Sequence, residues 1–525
     1  MTAERSFGIL GVKPGHDGAI AYISAGELRF SFESEKDNGY RYAEVDSKTF
    51  VKALSACEAI PDVIASGGWS EGGNPSGDPV GAGYSGLASS VSGSTMFVGA
   101  AAHAFTSSHE RSHILCAYGL SPFKQGEPCY VLIWEGHIGS FYFVNENVMI
   151  TKLAEVLVDP GVRYAFLYAL ADPTFAMRRG AIRLSDAGKL MAIAGFASTS
   201  TVCEDGRAIV DRLLSPALKA EDLCKDDFVN SKFYNCGVTN IDFAGVAQLM
   251  SDRLYDIYET AAHAIVRDKR PLLIAGGCGL NCEWNSRWIA SGLFSDVFIP
   301  PCANDSGSAI GTAIDAMLHH TGRAKVRWSV YAGEPPIDDI DSCPGFLGAA
   351  YDATKVALAL KEDKILGWMR GRYEIGPRAL GARSILASPA SANMLARLNA
   401  LKRREGFRPI APVCLEEDMA KYFAPATPSP YMLEFRKVIS DAIPAVTHVD
   451  RSSRPQSVSA DQNIGLHELL LRFREVAGIS VLCNTSLNFN GFGFMNRLSD
   501  LYKFAVQHAL DGFVFEDKMF LKDGQ

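Results

Sequence analysis

The sequence predicts an α/β protein of two units, the first of them internally duplicated. Three observations predict this. A strand, a polar glycine turn and a returning strand occur at 7–12, 13–18 and 19–23, and again at 130–134, 135–139 and 140–145. A connection containing several prolines and glycines, from about Val326 to Leu347, interrupts the chain, and a fresh α/β pattern opens at Tyr351. The boundary is placed so that the units are 1–345 and 346–525. The third observation is size: 525 residues, 47% hydrophobic and 21% charged, suffice for more than one large core.

The elements follow in order. Leu28 to Ser34 alternates as a third strand, completing a meander with the first two. Residues 67–100 are rich in Gly and Ser and poor in charge; with Tyr84, Leu87, Met96 and Phe97 interspersed, they read as a long loop or lid. A helix is expected from about Ala101 to Leu120. Another helical pattern runs from about Val246 to Arg267, and Pro271 to Ala275 reads as a short buried strand. After Gly276-Gly277-Cys278-Gly279-Leu280-Asn281 a helix carries Asn285, Val297 to Pro300 makes a strand, and Ser308 to His319 is a closely packed helix of small residues.

Composition narrows the function classes. The net charge of -8 provides no global field for nucleic acid or anionic membrane, so neither is an expected partner. The 12 cysteines contain no CxxC pair; Cys278 and Cys282 flank a glycine turn and lack a second pair for zinc. They read as reduced thiols of a cytoplasmic protein. The N-terminus has no basic head and apolar signal core, and no apolar run reaches the length of a membrane span.

Three groups of residues carry chemistry. His109 and His113 stand at i and i+4, on one face of a helix, and Asp305 offers a carboxylate in a glycine-bearing setting. Two imidazoles and one carboxylate leave coordination positions open on a divalent ion. An isolated HxxxH is more often a surface helix; the surrounding motifs reverse that preference. Gly276, Gly277 and Gly279, between a strand and a helix, offer backbone amides to a nucleotide, and Asn281 and Asn285, one helical turn apart, could read a ribose or base edge. With the two hairpin turns, this pattern suggests the duplicated nucleotide-binding fold of actin, sugar kinases and heat-shock chaperones. In the second unit, Arg378, Arg383, Lys402, Arg404, Arg408 and Arg454 are set among prolines, glycines and apolar residues. That setting suits bidentate grips on phosphate better than a solvated, lysine-rich basic face or simple pairing with the excess acids.

Taken together, the segments PGHDGA (14–19), HERSH (109–113), GGCGLN (276–281), NDSGSAIG (304–311), GPRALGARSIL (376–386), KRREGFRPIAP (402–412) and NTSLN (484–488) resemble the O-carbamoyltransferase family of the NodU/CmcH type, known from nodulation-factor and antibiotic biosynthesis. They stand in the family's order and span nearly the whole chain. The short length and the stretch WEGHIGSFY (134–142) are most similar to the branch that carbamoylates 3-hydroxymethylcephems. Many relatives have an Asp where this chain has Glu135, and the sequence assigns Glu135 no role.

The resemblance implies an N-terminal domain similar to the tRNA threonylcarbamoyl-transfer catalytic subunit, holding Fe(II) or another divalent metal through His109, His113 and Asp305. It implies a YrdC-like C-terminal domain in which Arg378, Arg383, Lys402, Arg404, Arg408, Arg454 and Asn484 bind carbamoyl phosphate and ATP, the latter as Mg-ATP. Carbamoyl adenylate would form there with release of pyrophosphate. At the metal site a small-molecule alcohol would attack its carbonyl, AMP would leave, and His16 would act at the acceptor hydroxyl. Adenylation suits the chemistry, because a carbamate is a poor electrophile without a good leaving group, and a histidine of near-neutral pKa accepts a hydroxyl proton. His103 and His137 read as supporting or structural. A homodimer is compatible with the family.

Other readings predict different features. A sugar-kinase-like phosphotransferase would not explain the arginine-rich second unit. A hydrogenase-maturation relative would need zinc-finger and acylphosphatase modules that this chain has no room for. A tRNA-modifying enzyme predicts a basic surface. A non-enzymatic nucleotide-binding module would release no pyrophosphate with carbamoyl phosphate. The acceptor could also be a sugar, polyketide or nucleoside, with residues 67–100 expected to shape its pocket.

Overall fold

The computed structural model describes residues 7–68, 71–73, 79–175, 182–197 and 202–522. Two sheets in the N-terminal part repeat one strand order. In the first, Glu27–Glu33, Ala19–Ser24 and Gly8–Lys13 form an antiparallel meander, and Gly8–Lys13 then pairs in parallel with Val63–Gly68, which pairs in parallel with Ala100–Ser108. In the second, Ile150–Glu155, Gly139–Val144 and Cys129–Trp134 form the meander, followed in parallel by Leu272–Ala275 and Val297–Phe298. The duplication therefore extends to a third strand, Ile150–Glu155, whose largely exposed residues give no clear alternation to read.

The central strands are buried on both faces, as Gly8–Lys13 and Cys129–Trp134 illustrate, because helices cover them. Two of these helices, His109–Leu120 and Ser308–Thr321, pack against each other in a core shared by both sheets, joining Ile114, Ile310 and Ile314 to Ile9 and Ile133. At their crossing a Cβ on Gly311 would lie 1.8 Å from the Ser112 carbonyl oxygen, so only glycine permits this approach.

The expected helix from 101 begins instead at His109. Residues 100–108 form a strand, held in parallel by Val63–Gly68 and antiparallel by Ser89–Phe97. Small residues with a β-branched Thr106 fit that sheet, and Ser108 switches the chain into helix by accepting a hydrogen bond from the Arg111 N–H at 3.1 Å. Much of the Gly/Ser-rich stretch is therefore sheet rather than loop; its residues 69–70 and 74–78 lie outside the described residues. The second half also carries an insertion of helices, Pro160–Ala171, Asp186–Ala194 and Glu204–Leu213, packed on the helix Ile241–Ile265.

Residues 346–522 build an eight-stranded mixed sheet. Helices Ala353–Lys361 and Ile464–Ala477 cover one face, and Asn393–Leu401 and Leu498–Gln507 the other. It is tied to the first sheet by a buried knot. Glu33 accepts from the Gly376 N–H at 2.7 Å, and Lys36 donates to the carbonyls of Glu374 and Gly376 at 2.5 and 2.7 Å. All twelve cysteines are free, and among the described residues no helix is long and apolar enough to cross a membrane.

Candidate active site

The turn after the first strand of each half opens on the same buried cluster. His109 opens its helix directly after the Ser108 cap, and His113 follows one turn later. Glu135 closes the strand Cys129–Trp134 from the second half, and Asp305 sits in the turn that starts the helix Ser308–Thr321. All four residues are buried, and one ligand atom from each falls within 4.8 Å of the others. His113 Nε2 stands 3.3 Å from both Glu135 Oε2 and Asp305 Oδ1, and His109 Nε2 is 3.3 Å from Glu135 Oε2 and 3.7 Å from Asp305 Oδ2. Sequence reasoning assembled three of these residues and left Glu135 without a role.

Two buried carboxylates side by side require compensating positive charge. Burial opposes a charge on His113, but Asp305 and Glu135 outweigh it and raise the ring to about 10. Burial likewise opposes the Glu135 carboxylate, but the two imidazoles pull it down to about 2, and Asp305 is held far below the usual carboxylate range. Asp305 Oδ2 is buried without a hydrogen-bond partner, with Lys13 Nζ, His16 Nε2 and His109 Nε2 at 3.5, 3.6 and 3.7 Å. Two imidazoles, two carboxylates and an orphaned oxygen fit a divalent ion such as Fe(II), Mn(II) or Zn(II). Tyr84 supports the set: its hydroxyl donates to Glu135 Oε1 at 2.7 Å, and its ring stacks on His109 at 4.4 Å.

His16 reaches the rim of this cluster. Its Nδ1 is 3.0 Å from Asp17 Oδ2, and its side chain keeps 43% exposure, so the ring is oriented yet open to a ligand. The Asp17 hydrogen bond raises its pKa, against burial. His137 is bound to Asp159 at 2.8 Å and His103 packs near His320, and neither belongs to the cluster.

A second site lies where loops of the C-terminal sheet meet the helix Asp186–Ala194. There a cavity of about 200 Å³ is lined by Arg378, Arg404, Arg408 and Arg454. Arg378 Nε, one terminal nitrogen of Arg404 and Arg454 Nε are buried with no hydrogen-bond partner. Burial, followed by Arg454 and Arg408, pushes Arg378 down to about 9; burial, Arg408 and Arg454 do the same to Arg404. Crowded guanidiniums with orphaned donors suit a polyanion that bridges them.

Residues 100–314 match the family model described as carbamoyltransferase N-terminus, and residues 357–522 the one described as carbamoyltransferase C-terminus. A 3'-hydroxymethylcephem-O-carbamoyltransferase of Streptomyces clavuligerus is 44% identical over 518 residues, covering 97% of this chain and 98% of that protein. The chain belongs to the carbamoyltransferase family. It is accordingly an enzyme. The corresponding protein of Amycolatopsis lactamdurans is 43% identical, with 97% and 98% covered, and nodulation protein U of Rhizobium tropici is 36% identical, with 93% and 92% covered. Among solved structures, full-length HypF in its phosphate- and nucleotide-bound form matches 36% of this chain and 24% of its own at 16% identity and a TM-score of 0.22. An archaeal actin homologue matches 59% and 98% at 11% identity and a TM-score of 0.29.

In this carbamoyltransferase the remaining expected site residues are engaged within the fold. Arg383 is fully buried, and all its N–H groups have partners inside the protein: Asn496 Oδ1 and the carbonyls of Gly371, Ala382 and Glu334. Lys402 donates to the Ser486 and Asn488 carbonyls at 2.7 Å and to Asn488 Oδ1 at 2.5 Å. Neither lines the arginine cavity. Asn484 donates to Ala379 and Gln456 and leaves its buried Oδ1 unpartnered. Asn285 donates to the Gly279 and Leu433 carbonyls, and Asn281 Oδ1 caps the helix Cys282–Ala290 while its buried Nδ2 has no hydrogen-bond partner. Gly276 has φ 92°, and a Cβ there would meet the Trp134 carbonyl oxygen at 2.5 Å; it lets the turn pack behind Glu135. Gly279 is buried, and Gly277 has open space around it.

Proposed function

We propose that the enzyme is an ATP-dependent O-carbamoyltransferase that works through carbamoyl adenylate, with a 3-hydroxymethylcephem or a related small-molecule alcohol as acceptor. Carbamoyl phosphate and Mg-ATP would bind in the arginine cavity of residues 346–525, a YrdC-like domain in this reading. Transfer would take place at the His/His/Glu/Asp cluster of residues 1–345, an actin- and sugar-kinase-like domain. The single observation that carries the reading is the pairing, in one carbamoyltransferase chain, of a polyanion cavity with orphaned guanidinium donors and a separate buried ligand set beside an exposed histidine.

Atom balance sets the order of steps. Water cleaves carbamoyl phosphate to carbamate and phosphate. A carbamate oxygen then attacks the α-phosphorus of ATP, expelling pyrophosphate and forming the mixed anhydride. Arg378, Arg404, Arg408 and Arg454 hold the phosphate oxygens in line and stabilise the charge that gathers on pyrophosphate. The acceptor oxygen then attacks the carbamoyl carbonyl, and AMP leaves. His16, steered by Asp17, takes the hydroxyl proton, while Asp305 and Lys13 fix the rim on which the ring sits. His109, His113, Glu135 and Asp305 would hold a divalent metal, which when bound supplies Lewis-acid stabilisation of the departing phosphate. Tyr84 keeps Glu135 aimed into the set.

The two half-reactions provide the test. Asp305→Asn should lose bound metal and acceptor carbamoylation yet still release pyrophosphate from ATP and carbamoyl phosphate. If Asp305→Asn keeps normal metal content, the ligand set is misassigned; if it abolishes pyrophosphate release while the fold stays intact, the two-site reading fails.

A further inference from the structure

The segment Gly39–Val45 connects the two sites. At one end it is fastened to the His16 turn: the Asp17 and Gly18 N–H groups donate to the Tyr42 and Ala43 carbonyls at 3.3 and 2.8 Å, and Val45 N–H to Pro14 at 3.1 Å. At the other end the Gly493 N–H donates to the Gly39 carbonyl at 2.7 Å, and Tyr40 pairs as a β-bridge with Phe492. Phe492 closes the loop whose Asn488 holds Lys402, two residues before Arg404 of the arginine cavity. The strap is thus bonded both to the His16 turn of one site and to the loop that holds Lys402, close in sequence to Arg404 of the other.

Its backbone is held under strain. Tyr42 has φ 60° and the facing Asp17 φ 52°, left-handed conformations that non-glycine residues adopt only where their surroundings hold them. The Tyr42 N–H donates to Glu35 Oε2 at 3.1 Å, which keeps the kink. Arg41 stands at this kink. Its Nε is 3.4 Å from Glu35 Oε2, its guanidinium lies over the Tyr42 ring, and its side chain keeps 38% exposure. Its positive charge disfavours the charged forms of Arg378, Arg408 and Lys402, and Asp17 favours the charged form of Arg41. Arg41 is the strap's cation, set between Tyr40, which bridges to Phe492, and Tyr42, which is bonded to the His16 turn, and sequence reasoning assigned it nothing.

We propose that Arg41 is the contact that holds the phosphate of the activated carbamoyl nucleotide as it passes from the arginine cavity to the metal cluster. The proposal rests on the adenylate reading above. A guanidinium suits this position because it grips a phosphodiester oxygen on one edge and exchanges partners on the other without losing charge. Glu35 holds it while no nucleotide is present. Arg41 makes or breaks no covalent bond; it positions the intermediate, and without it the intermediate meets water, giving carbamate and AMP in place of carbamoylated acceptor.

The experiment compares wild type, Arg41→Gln and Arg41→Lys in the full-length, metal-loaded enzyme, with ATP, carbamoyl phosphate and acceptor. Pyrophosphate, AMP and carbamoylated product are counted together, alongside the melting temperature. Arg41→Gln should melt like wild type and keep pyrophosphate release. Acceptor carbamoylation should fall about 10- to 100-fold, the worth of one charge-assisted contact, and AMP formed per product should rise above the wild-type value of one. Arg41→Lys should recover part of the coupling. One AMP per product in Arg41→Gln at the wild-type rate would overturn the proposal, and so would parallel loss of both half-reactions with a lowered melting temperature. Carbamoylation by wild type without ATP turnover would instead overturn the adenylate reading, whatever Arg41→Gln does.

Discussion

Replacing Arg404 by Met should stabilise the ligand-free enzyme while it disables nucleotide binding. Burial and the neighbouring Arg408 and Arg454 displace Arg404 from 12.5 to about 9. At about 1.4 kcal/mol per unit, the ceiling on the cost of holding that charge is about 5 kcal/mol. Water in the cavity screens part of it, and removal of the guanidinium strands Asn399 Oδ1, its partner at 2.6 Å, at about 1–3 kcal/mol. The net expectation is a gain of about 1–2 kcal/mol, within the range seen when buried charges are replaced by apolar groups. Differential scanning fluorimetry reads it as a rise of a few degrees, at about 2–4 °C per kcal/mol for a domain of this size. Saturating ATP with carbamoyl phosphate should raise the melting temperature of wild type, since ligand at about 100 times Kd contributes about 2.7 kcal/mol. In Arg404→Met that rise should nearly vanish. A variant that melts lower than wild type and keeps the ligand-induced rise would refute the view that these guanidiniums are assembled for an anion.

Four further outcomes follow from the same geometry. Arg383→Met should behave in the opposite way: it strands Asn496 Oδ1 and several carbonyls, so unfolding in urea should show a loss of about 3–5 kcal/mol with or without nucleotide. Glu135→Gln should bind Fe(II) or Zn(II) at least about 10- to 100-fold more weakly by calorimetry, more than loss of a supporting group costs; unchanged affinity would place Glu135 outside the ligand set. His16→Asn should keep metal and pyrophosphate release but lose about 10²- to 10⁴-fold in acceptor carbamoylation, and a pure KM effect would make His16 a binding residue only. Lys325 is pushed by burial down to about 8 from 10.5, so over that interval the unfolded chain keeps a proton that the folded protein has shed. Wild type should therefore gain stability relative to Lys325→Met as pH rises from 8 to 10.5, and a difference in melting temperature that stays flat across the interval would contradict this.

The sequence made the duplication readable because each half starts with the same local device, a strand, a polar glycine turn and a returning strand. The first helix of the insertion was not readable: Val162–Ala171 is buried throughout, so its hydrophobic residues carry no period. The histidine helix starts later than the pattern suggests because the small residues that dominate 100–108 serve helix or strand equally, and the choice is imposed by strands on either side. At the His/His/Glu/Asp cluster the HxxxH spacing announced one face of a helix, whereas Glu135 joins from another element and no spacing announces it. A usable signal existed: Glu135 begins the second glycine turn, the counterpart of the turn that carries His16. In the C-terminal unit Arg383 and Arg404 look alike in sequence. They differ in where their guanidiniums end, one among carbonyls and the other with an unpartnered nitrogen at a cavity, which only packing decides.

The most direct test of the central claim counts pyrophosphate against carbamoylated product. The metal-loaded enzyme is given carbamoyl phosphate, ATP labelled in its terminal phosphates, and a 3-hydroxymethylcephem, with the product followed by mass spectrometry. The account predicts that no product forms without ATP and that one pyrophosphate appears for each carbamoylated molecule. Product formed from carbamoyl phosphate with ATP untouched would contradict it.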